Sequence, residues 1–157
     1  MRKTLLFMLL VAFAICCRAQ APFKRNDVYL EALGAGLFGS VNYERQLSKM
    51  PGLGLRVGIG FYSENRFYLT VPVGLHYLFP LRSRGTFIDA GLAYTPAFGD
   101  GRVFADKEER DNFNSFIPSI GYRKHTKKDL MFRASFSPVV NYSGITPWLG
   151  VSLGKRF

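Results

Sequence analysis

The stretch Pro147 to Phe157 reads P-W-L-G-V-S-L-G-K-R-F, and its side chains alternate in character along the chain. The apolar residues share one face: Leu149, Val151, Leu153 and Phe157. The opposite face is mostly small or polar: Trp148, Gly150, Ser152, Gly154 and Arg156. Lys155 interrupts the apolar face. A two-residue period of this length predicts a strand that crosses a membrane, with one face towards lipid and the other towards a polar interior.

Similar stretches of about ten alternating residues fill the chain from Asp27 onward, and this is the length at which a tilted strand crosses a bilayer. Clusters of Gly, Pro, Asn, Ser or charged residues separate them. The pattern predicts eight strands, at 27–36, 38–47, 53–62, 67–79, 86–96, 113–123, 129–141 and 147–157. The predicted fold is therefore all-β, an eight-stranded antiparallel up-and-down transmembrane β-barrel. The division near Gly36, between the first two strands, is the least distinct of these divisions. A single long bent strand there would make the number of strands odd.

An even number of strands puts both chain ends on the periplasmic side, with short turns there and longer loops outside. The longest connector, Ala97 to Asn112, falls on the outer side, as this arrangement requires. A soluble periplasmic lipid-binding barrel is the alternative, and its apolar face would point inward. The polar face here is rich in Gly and Ser, whereas a solvent-facing strand surface favours Lys, Glu and Thr. The membrane barrel is therefore the favoured interpretation.

Residues 1–19 have the pattern of a cleavable signal peptide. Arg2 and Lys3 precede an apolar run from Leu5 to Ile15, and small residues stand at Cys17 and Ala19. The run is too short to be a transmembrane helix. We predict cleavage after Ala19 and a barrel domain at 20–157. Both cysteines leave with the leader, and the remaining 18 Lys and Arg against 11 Asp and Glu give a net charge of +7 instead of +10.

The strand register also predicts which charged side chains point into the barrel: Glu31, Glu44, Arg56, His76, Asp89, Arg123, Arg133 and Arg156. Buried charges are tolerated when they are paired and hydrogen-bonded. An eight-stranded barrel has an interior just wide enough for side chains. We therefore expect a structural ion-pair network that plugs the lumen, with a narrow gated channel as the alternative.

Aromatic residues cluster where the predicted strands end, as Tyr and Trp do at membrane–water boundaries. Six face lipid near the periplasmic ends: Tyr43, Tyr77, Phe79, Tyr122, Phe132 and Phe157. Three form the outer part of the belt: Phe61, Tyr94 and Phe116. This arrangement predicts an aromatic belt at each edge of the membrane.

Other chemistries have little support in the sequence. His76 and His125 are the two histidines, and neither has a hydroxyl residue two positions further on the same strand face. A lipid-acting enzyme would need a cross-strand Ser–His pair, so it stays an alternative, and we expect no catalytic residue. We also expect no metal or other cofactor. The acidic residues of the connector from Ala97 to Asn112 lack the regular ligand spacing of a calcium loop. Basic residues on the short turns form no groove with interleaved aromatics, which argues against nucleic acid.

Two short motifs carry a family resemblance: D-V-Y-L-E-A-L-G at Asp27 to Gly34 and S-V-N-Y-E-R at Ser40 to Arg45. With a leader ending in Ala19-Gln20, the chain resembles small outer-membrane β-barrel proteins of the Bacteroidota. The resemblance implies an outer-membrane location and a barrel fold, and it carries no catalytic residue across because most members of the family lack an assigned activity. Lys155 departs from the apolar C-terminal pattern of such barrels.

The expected protein is therefore a monomer with a structural, membrane-anchoring or surface-interaction role. Its expected partners are membrane lipids and, through the C-terminal strand, the outer-membrane insertion machinery. The loops are the place to look for any other partner.

Overall fold

A computed structural model of the chain describes residues 23–63, 66–99 and 112–157. The predicted leader at 1–19 and most of the predicted loop from Ala97 to Asn112 lie outside these residues. The described chain forms eleven strands: β1 Asn26–Gly34, β2 Leu37–Gln46, β3 Leu53–Ser63, β4 Phe67–Thr70, β5 Val73–Pro80, β6 Thr86–Gly99, β7 Asn112–His125, β8 Leu130–Phe136, β9 Val139–Asn141, β10 Gly144–Thr146 and β11 Leu149–Arg156. None of the described residues belongs to a helix that could cross a membrane.

The strands form one antiparallel sheet that closes on itself. β1 pairs with β2 on one side and with β11 on the other, where Leu30 lies opposite Leu153. Three strand positions are each made of two consecutive segments, β4 with β5, β8 with β9, and β10 with β11. The eleven segments therefore make a ring of eight strand positions, and the predicted eight-stranded barrel is confirmed.

Proline accounts for the divided positions. Pro72 separates β4 from β5, Pro138 separates β8 from β9, and Pro147 separates β10 from β11. Proline has no N–H to donate to a neighbouring strand, so the ladder of hydrogen bonds is interrupted there. The gap is nevertheless bridged, because Gly58 N donates to Pro72 O at 2.9 Å and Ser137 N donates to Trp148 O at 2.8 Å.

The side chains of the barrel are arranged inside out relative to a soluble protein. Outward-facing Leu30 and Ile59 are 64% and 63% exposed, whereas inward-facing Arg123 and Asp89 are both 0% exposed. The alternation continues along β11, where Leu149, Val151 and Leu153 point outward and Gly150 and Ser152 point inward. The exterior of the wall is thus apolar and the interior is polar.

Glycines on the inner face make room for the larger polar side chains. A Cβ at Gly58 would lie 2.3 Å from Oδ1 of Asn42 and 2.8 Å from the carbonyl oxygen of Val41. A Cβ at Gly154 would lie 2.3 Å from Cβ of Tyr29. The inward glycines therefore follow from the narrow interior, in which a residue on one strand occupies the space opposite its neighbour.

Candidate functional site

Arg123 lies at the centre of a charged cluster inside the barrel. Its Nη2 atom lies 2.8 Å from Oε2 of Glu44 and 2.6 Å from Oδ2 of Asp89, and its Nη1 atom contacts Oε1 of Glu44. All three side chains are fully buried or nearly so. One guanidinium thus holds two carboxylates that come from β2 and β6, on different sides of the lumen.

Arg133 extends the cluster towards the first strand. The register places Arg133 directly opposite Arg123 on the neighbouring strand, where like charges repel. Asp89 relieves this repulsion, because its Oδ2 atom also lies 3.0 Å from Nε of Arg133. Arg133 Nη1 lies 3.0 Å from Oε1 of Glu31, and its Nη2 donates to Oγ of Ser119 at 3.1 Å. The two arginines are therefore joined through shared acids.

Arg56 and His76 complete the contacts on the far side. Arg56 Nη1 lies 3.5 Å from Oε1 of Glu31 and donates to the hydroxyl of Tyr29 at 3.2 Å. His76 Nε2 lies 2.9 Å from Oε1 of Glu44 and 2.5 Å from Nε2 of Gln46. Seven of the eight charged residues expected in the lumen are therefore brought into one connected network.

The eighth, Arg156, lies apart from that network. It stands at the last position of β11, where its Nη2 atom lies 3.8 Å from Asp129 and its Nη1 atom lies 2.6 Å from Nδ1 of His125. Its guanidinium also lies over the ring of Phe23, at 5.4 Å from the ring centre. A side chain at the strand end reaches the neighbouring turn more easily than the middle of the lumen.

Asp27 is an interior acid that was not among the charged residues predicted for the lumen. It is 1% exposed, and its Oδ2 atom lies 3.6 Å from Nη1 of Arg123. The signal was present, because Asp27, Tyr29 and Glu31 share one strand face at a spacing of two residues. Among the described residues, the interior thus holds four buried acids, which are Asp27, Glu31, Glu44 and Asp89, against three buried arginines.

The turn between β1 and β2 folds into the opposite end of the lumen. Its residues Ala35 and Leu37 are buried against inward-facing Ala93, Ile117 and Val139. The sequence pattern predicts only a weak break at this point and does not predict that the turn enters the lumen.

Hydrogen bonds hold this turn in place. Ala35 N donates to Oε2 of Glu31 at 3.1 Å, and Ala35 O accepts from Oγ1 of Thr95 at 2.8 Å. Gly36 O accepts from Oγ1 of Thr70 at 2.9 Å. Leu33 and Leu37 have positive φ angles of 56° and 72°, a backbone conformation that non-glycine residues rarely adopt. The polar contacts and the apolar packing together stabilise this tight turn.

Beyond the turn, an aromatic cleft of about 250 Å³ lies at the mouth of the barrel. Four of its lining residues are aromatic side chains of the wall: Tyr62, Tyr68, Phe113 and Trp148. Asn141, Ser143 and Thr146 add polar groups to the lining. The Nε1 donor of Trp148 is buried and has no hydrogen-bond partner. A concave surface with ring faces and a few polar groups has the chemical character of a ligand site.

The aromatic residues predicted for the two belts all point outward. The rings of Tyr77 and Phe79 lie 4.6 Å apart near one end of the wall, and those of Tyr94 and Phe116 lie 5.3 Å apart towards the other. The remaining five also expose about two-fifths or more of their surface: Tyr43, Phe61, Tyr122, Phe132 and Phe157. Tyr43 donates its hydroxyl to Oδ1 of Asn26 at 2.9 Å.

The end of the barrel that holds both chain ends, here called the terminal end, is tied by the segment before β1. Lys24 Nζ lies 2.7 Å from Oδ2 of Asp129 in the turn between β7 and β8. Arg25 donates to the carbonyl oxygens of Gln46 and Leu47 at 3.0 and 2.9 Å. The hydrogen bond from Lys24 is the main reason that the pKa of Asp129 lies below its ordinary value.

The histidines do not form a catalytic pair with a hydroxyl. The polar partners of His76 are Glu44 and Gln46, and His125 contacts Arg156. Within the described ranges, no group of three or more His, Cys, Asp or Glu side chains is arranged to hold a metal ion. The contacts of the two histidines join different strands and stabilise the barrel wall.

Comparison with known proteins shows similarity at the level of fold. No protein-family model matches the chain. A search of curated proteins also finds no match. A solved structure that is similar is the N-terminal beta-barrel domain of Pseudomonas aeruginosa OprF, with a TM-score of 0.61 and 14% sequence identity. The match covers 86% of this chain and 100% of that one.

Proposed function

We propose that this protein is an integral outer-membrane β-barrel with a structural or surface-interaction role. The observation that carries the proposal is the inside-out distribution of side chains, with Leu30 and Ile59 exposed on the wall and Arg123, Glu44 and Asp89 buried within it. A closed barrel satisfies every backbone hydrogen bond of its wall without water, which lipid requires. The similarity in fold to the OprF domain supports the barrel on which the proposal rests.

Cell fractionation and gel migration test the membrane placement together. We expect the exported protein in the outer-membrane fraction, with faster migration on a gel when the sample is not boiled, because a folded membrane barrel resists detergent. Recovery in the soluble periplasm would contradict the proposal and favour the lipid-binding alternative.

We propose further that the lumen is closed at two levels. The ion-pair network around Arg123 fills its middle, and the turn at Ala35 and Gly36 closes the end opposite the chain termini. The interior of an eight-stranded barrel is just wide enough for side chains to fill it. In planar bilayers we expect no large, stable conductance, whereas a persistent open channel would contradict the closed lumen and favour the narrow-channel alternative.

A surface-interaction role gains specific support from the aromatic cleft. The unpartnered Nε1 donor of Trp148 is a group that a ligand could satisfy. We compare adherence of intact cells carrying the wild type, Trp148→Phe, or no copy of the protein to immobilised polysaccharide and protein surfaces. We expect Trp148→Phe to adhere less than the wild type. Equal adherence of all three strains would contradict this role.

We propose no catalytic activity, since His76 contacts the carboxylate of Glu44 and His125 contacts Arg156, but neither described set of contacts includes a Ser, Thr or Cys nucleophile. A lipid hydrolase or acyltransferase would release fatty acid or transfer it when the folded protein is mixed with phospholipid. We expect neither product, and turnover above a boiled control would overturn this part of the proposal.

A further inference from the structure

We propose that a ring of basic side chains at the terminal end binds the phosphate groups of anionic phospholipids in the leaflet that it faces. The inference rests on the proposed membrane placement. Three members lie on the outer face of the wall: Arg45, Lys124 and Lys155. Five lie on the three turns of that end: Lys49, Arg82, Arg84, Lys127 and Lys128. These eight residues are called the basic collar.

The three wall members stand at the level expected for headgroups. Arg45 and Lys155 are each one residue from the end of β2 and β11, and Lys124 is one residue from the end of β7. Two residues further into the wall, on the same face, lie Tyr43, Leu153 and Tyr122 respectively, about 7 Å away along the strand. Each cation thus lies just outside an apolar or aromatic band, where long basic side chains reach polar headgroups.

Within the part of the chain that the structure describes, the collar residues form no salt bridge with an acidic side chain. Seven of the eight residues are exposed and Lys124 is half-buried. Among the described residues, none of the eight forms an ion pair with Asp or Glu, and Lys124 donates to Oγ1 of Thr86. The acid on these three turns is Asp129, which Lys24 already holds at 2.7 Å. The positive charge of the collar is therefore available to an external anion.

In the sequence, the connector between β6 and β7 has the opposite balance of charge. Residues 100–111 contain five acidic residues, Asp100, Asp106, Glu108, Glu109 and Asp111, against Arg102, Lys107 and Arg110. Since the interior acids and arginines nearly cancel, the excess of basic residues is concentrated at the terminal end. An excess of basic charge at one end of the barrel is complementary to an anionic leaflet on that side, and solubility alone would not require it.

The collar also explains Lys155, the residue that interrupts the apolar C-terminal stripe. Its side chain is exposed on the outer face, and its register partners are Val28 on β1 and Leu130 on β8. In the middle of the wall a cation there would be expensive. At the strand end it joins Arg45 and Lys124 in a position where the headgroup region can receive it.

Spin-labelled lipids test the collar on the full protein reconstituted in phosphatidylcholine vesicles that contain some phosphatidylglycerol. Electron paramagnetic resonance gives the relative association of labelled phosphatidylglycerol and labelled phosphatidylcholine with the barrel. We expect a preference for phosphatidylglycerol of at least about fivefold, the effect of one basic side chain near an anionic surface. About 1 M salt shortens the screening length to roughly 3 Å and should reduce the preference strongly.

Variants distinguish lipid binding by the collar from a general effect of positive charge at the terminal end. The triple variant Arg45→Gln, Lys124→Gln, Lys155→Gln should lose most of the preference. The control Lys24→Gln removes one charge at the same end, but a paired one, and should retain it. Gel migration of the same vesicles before and after boiling first shows whether the barrel has inserted.

The possible outcomes are distinct. A wild-type chain that fails to insert contradicts the proposed function on which this inference rests. An inserted wild-type barrel that associates equally with both lipids contradicts the collar alone. A preference that survives both high salt and the triple variant also contradicts it. The salt titration needs no variant, so the inference remains testable if the triple variant does not fold.

Discussion

At the scale of single residues, Arg123 has the most demanding position in the molecule. It is 0% exposed, and it contacts Glu44, Asp89 and, at 3.6 Å, Asp27. A buried ion pair adds little stability compared with a well-packed apolar replacement of the whole pair, but removing one partner leaves the others uncompensated. Arg123 faces several acids at once, so its loss would expose each of them to this penalty.

The variant Arg123→Met should therefore destabilise the barrel by about 3–5 kcal/mol, the usual result of breaking a buried pair. The free energy of unfolding is measured by urea titration in phosphatidylcholine vesicles. Arg84→Met is the matched control, because this exposed turn residue has no acidic partner, and it should change the free energy by no more than about 0.5 kcal/mol. A similar small change for Arg123→Met would contradict the central position of this arginine.

The lumen-facing residues could be predicted from the sequence wherever the alternation of side chains along a strand decides which face a residue lies on. The alternation separates inward-facing Glu31, Glu44 and Asp89 from the outward-facing residues beside them, and applied to Asp27 it would have found that acid as well. The alternation could not place Arg156, because a side chain at a strand end can reach either the lumen or the adjacent turn. That choice depends on Asp129 and His125, which come from another part of the chain.

At the scale of elements, the turn between β1 and β2 is both a connection and a closure. Its carbonyl groups would be buried without partners if Thr70 and Thr95 did not donate to them. A buried carbonyl that loses its donor costs about 1–3 kcal/mol. The turn therefore stays inside the lumen because side chains of the opposite wall satisfy its backbone.

Thr95→Val keeps the shape of the side chain and removes the donor, so we expect a destabilisation of about 1–3 kcal/mol. Urea titration in vesicles measures the change. Thr146→Val serves as the control, since this residue is exposed and the same exchange there removes no buried contact. If both variants unfold at the same urea concentration as the wild type, the threonine contact does not stabilise the turn.

At the same scale, the contact between Lys24, in the segment before β1, and Asp129 makes part of the stability of the folded state depend on pH. The bond from Lys24 lowers the pKa of Asp129 below its ordinary value of 3.8. A lowered carboxyl pKa means that the contact stabilises the folded state above the ordinary pKa and that this contribution is lost as the pH falls through the lowered value.

In Lys24→Gln we expect the pKa of Asp129 to rise towards 3.8, as followed by NMR titration of its carboxyl carbon. Lys127→Gln, which removes a neighbouring cation that does not bond Asp129, should change the pKa less. An unchanged pKa in Lys24→Gln would show that the contact is absent in solution.

Most of the elements were predictable because outward positions in this barrel are consistently apolar. The strand predicted at 53–62 appears as Leu53–Ser63, and the one predicted at 86–96 appears as Thr86–Gly99. The divisions at Pro72 and Pro138 were not predicted, since side-chain alternation continues through a residue that cannot donate a hydrogen bond. The last strand was predicted to start at Pro147, and the segment β10 before it was not predicted. The inward turn was also missed, because burial of Ala35 and Leu37 depends on Ala93, Ile117 and Val139 from distant strands.

At the scale of the whole molecule, three environments are sorted into separate regions. Paired charges occupy the interior, apolar and aromatic side chains cover the wall, and the unpaired basic residues of the collar surround the terminal end. The paired charges suit a packed lumen, the apolar wall suits the hydrocarbon of a bilayer, and the basic collar suits the anionic surface of that bilayer. The central claim is that lipid surrounds the apolar wall.

Spin labels at single cysteines measure this claim most directly, and replacing Cys16 and Cys17 removes the two native cysteines. In vesicles, labels at outward Val57 and Ile59 should be relaxed mainly by oxygen, which concentrates in lipid. A label at Ser48 in a turn should be relaxed mainly by a water-soluble nickel complex, and one at inward Ser40 should be protected from both. Equal access of the nickel complex to Val57, Ile59 and Ser48 would contradict the account.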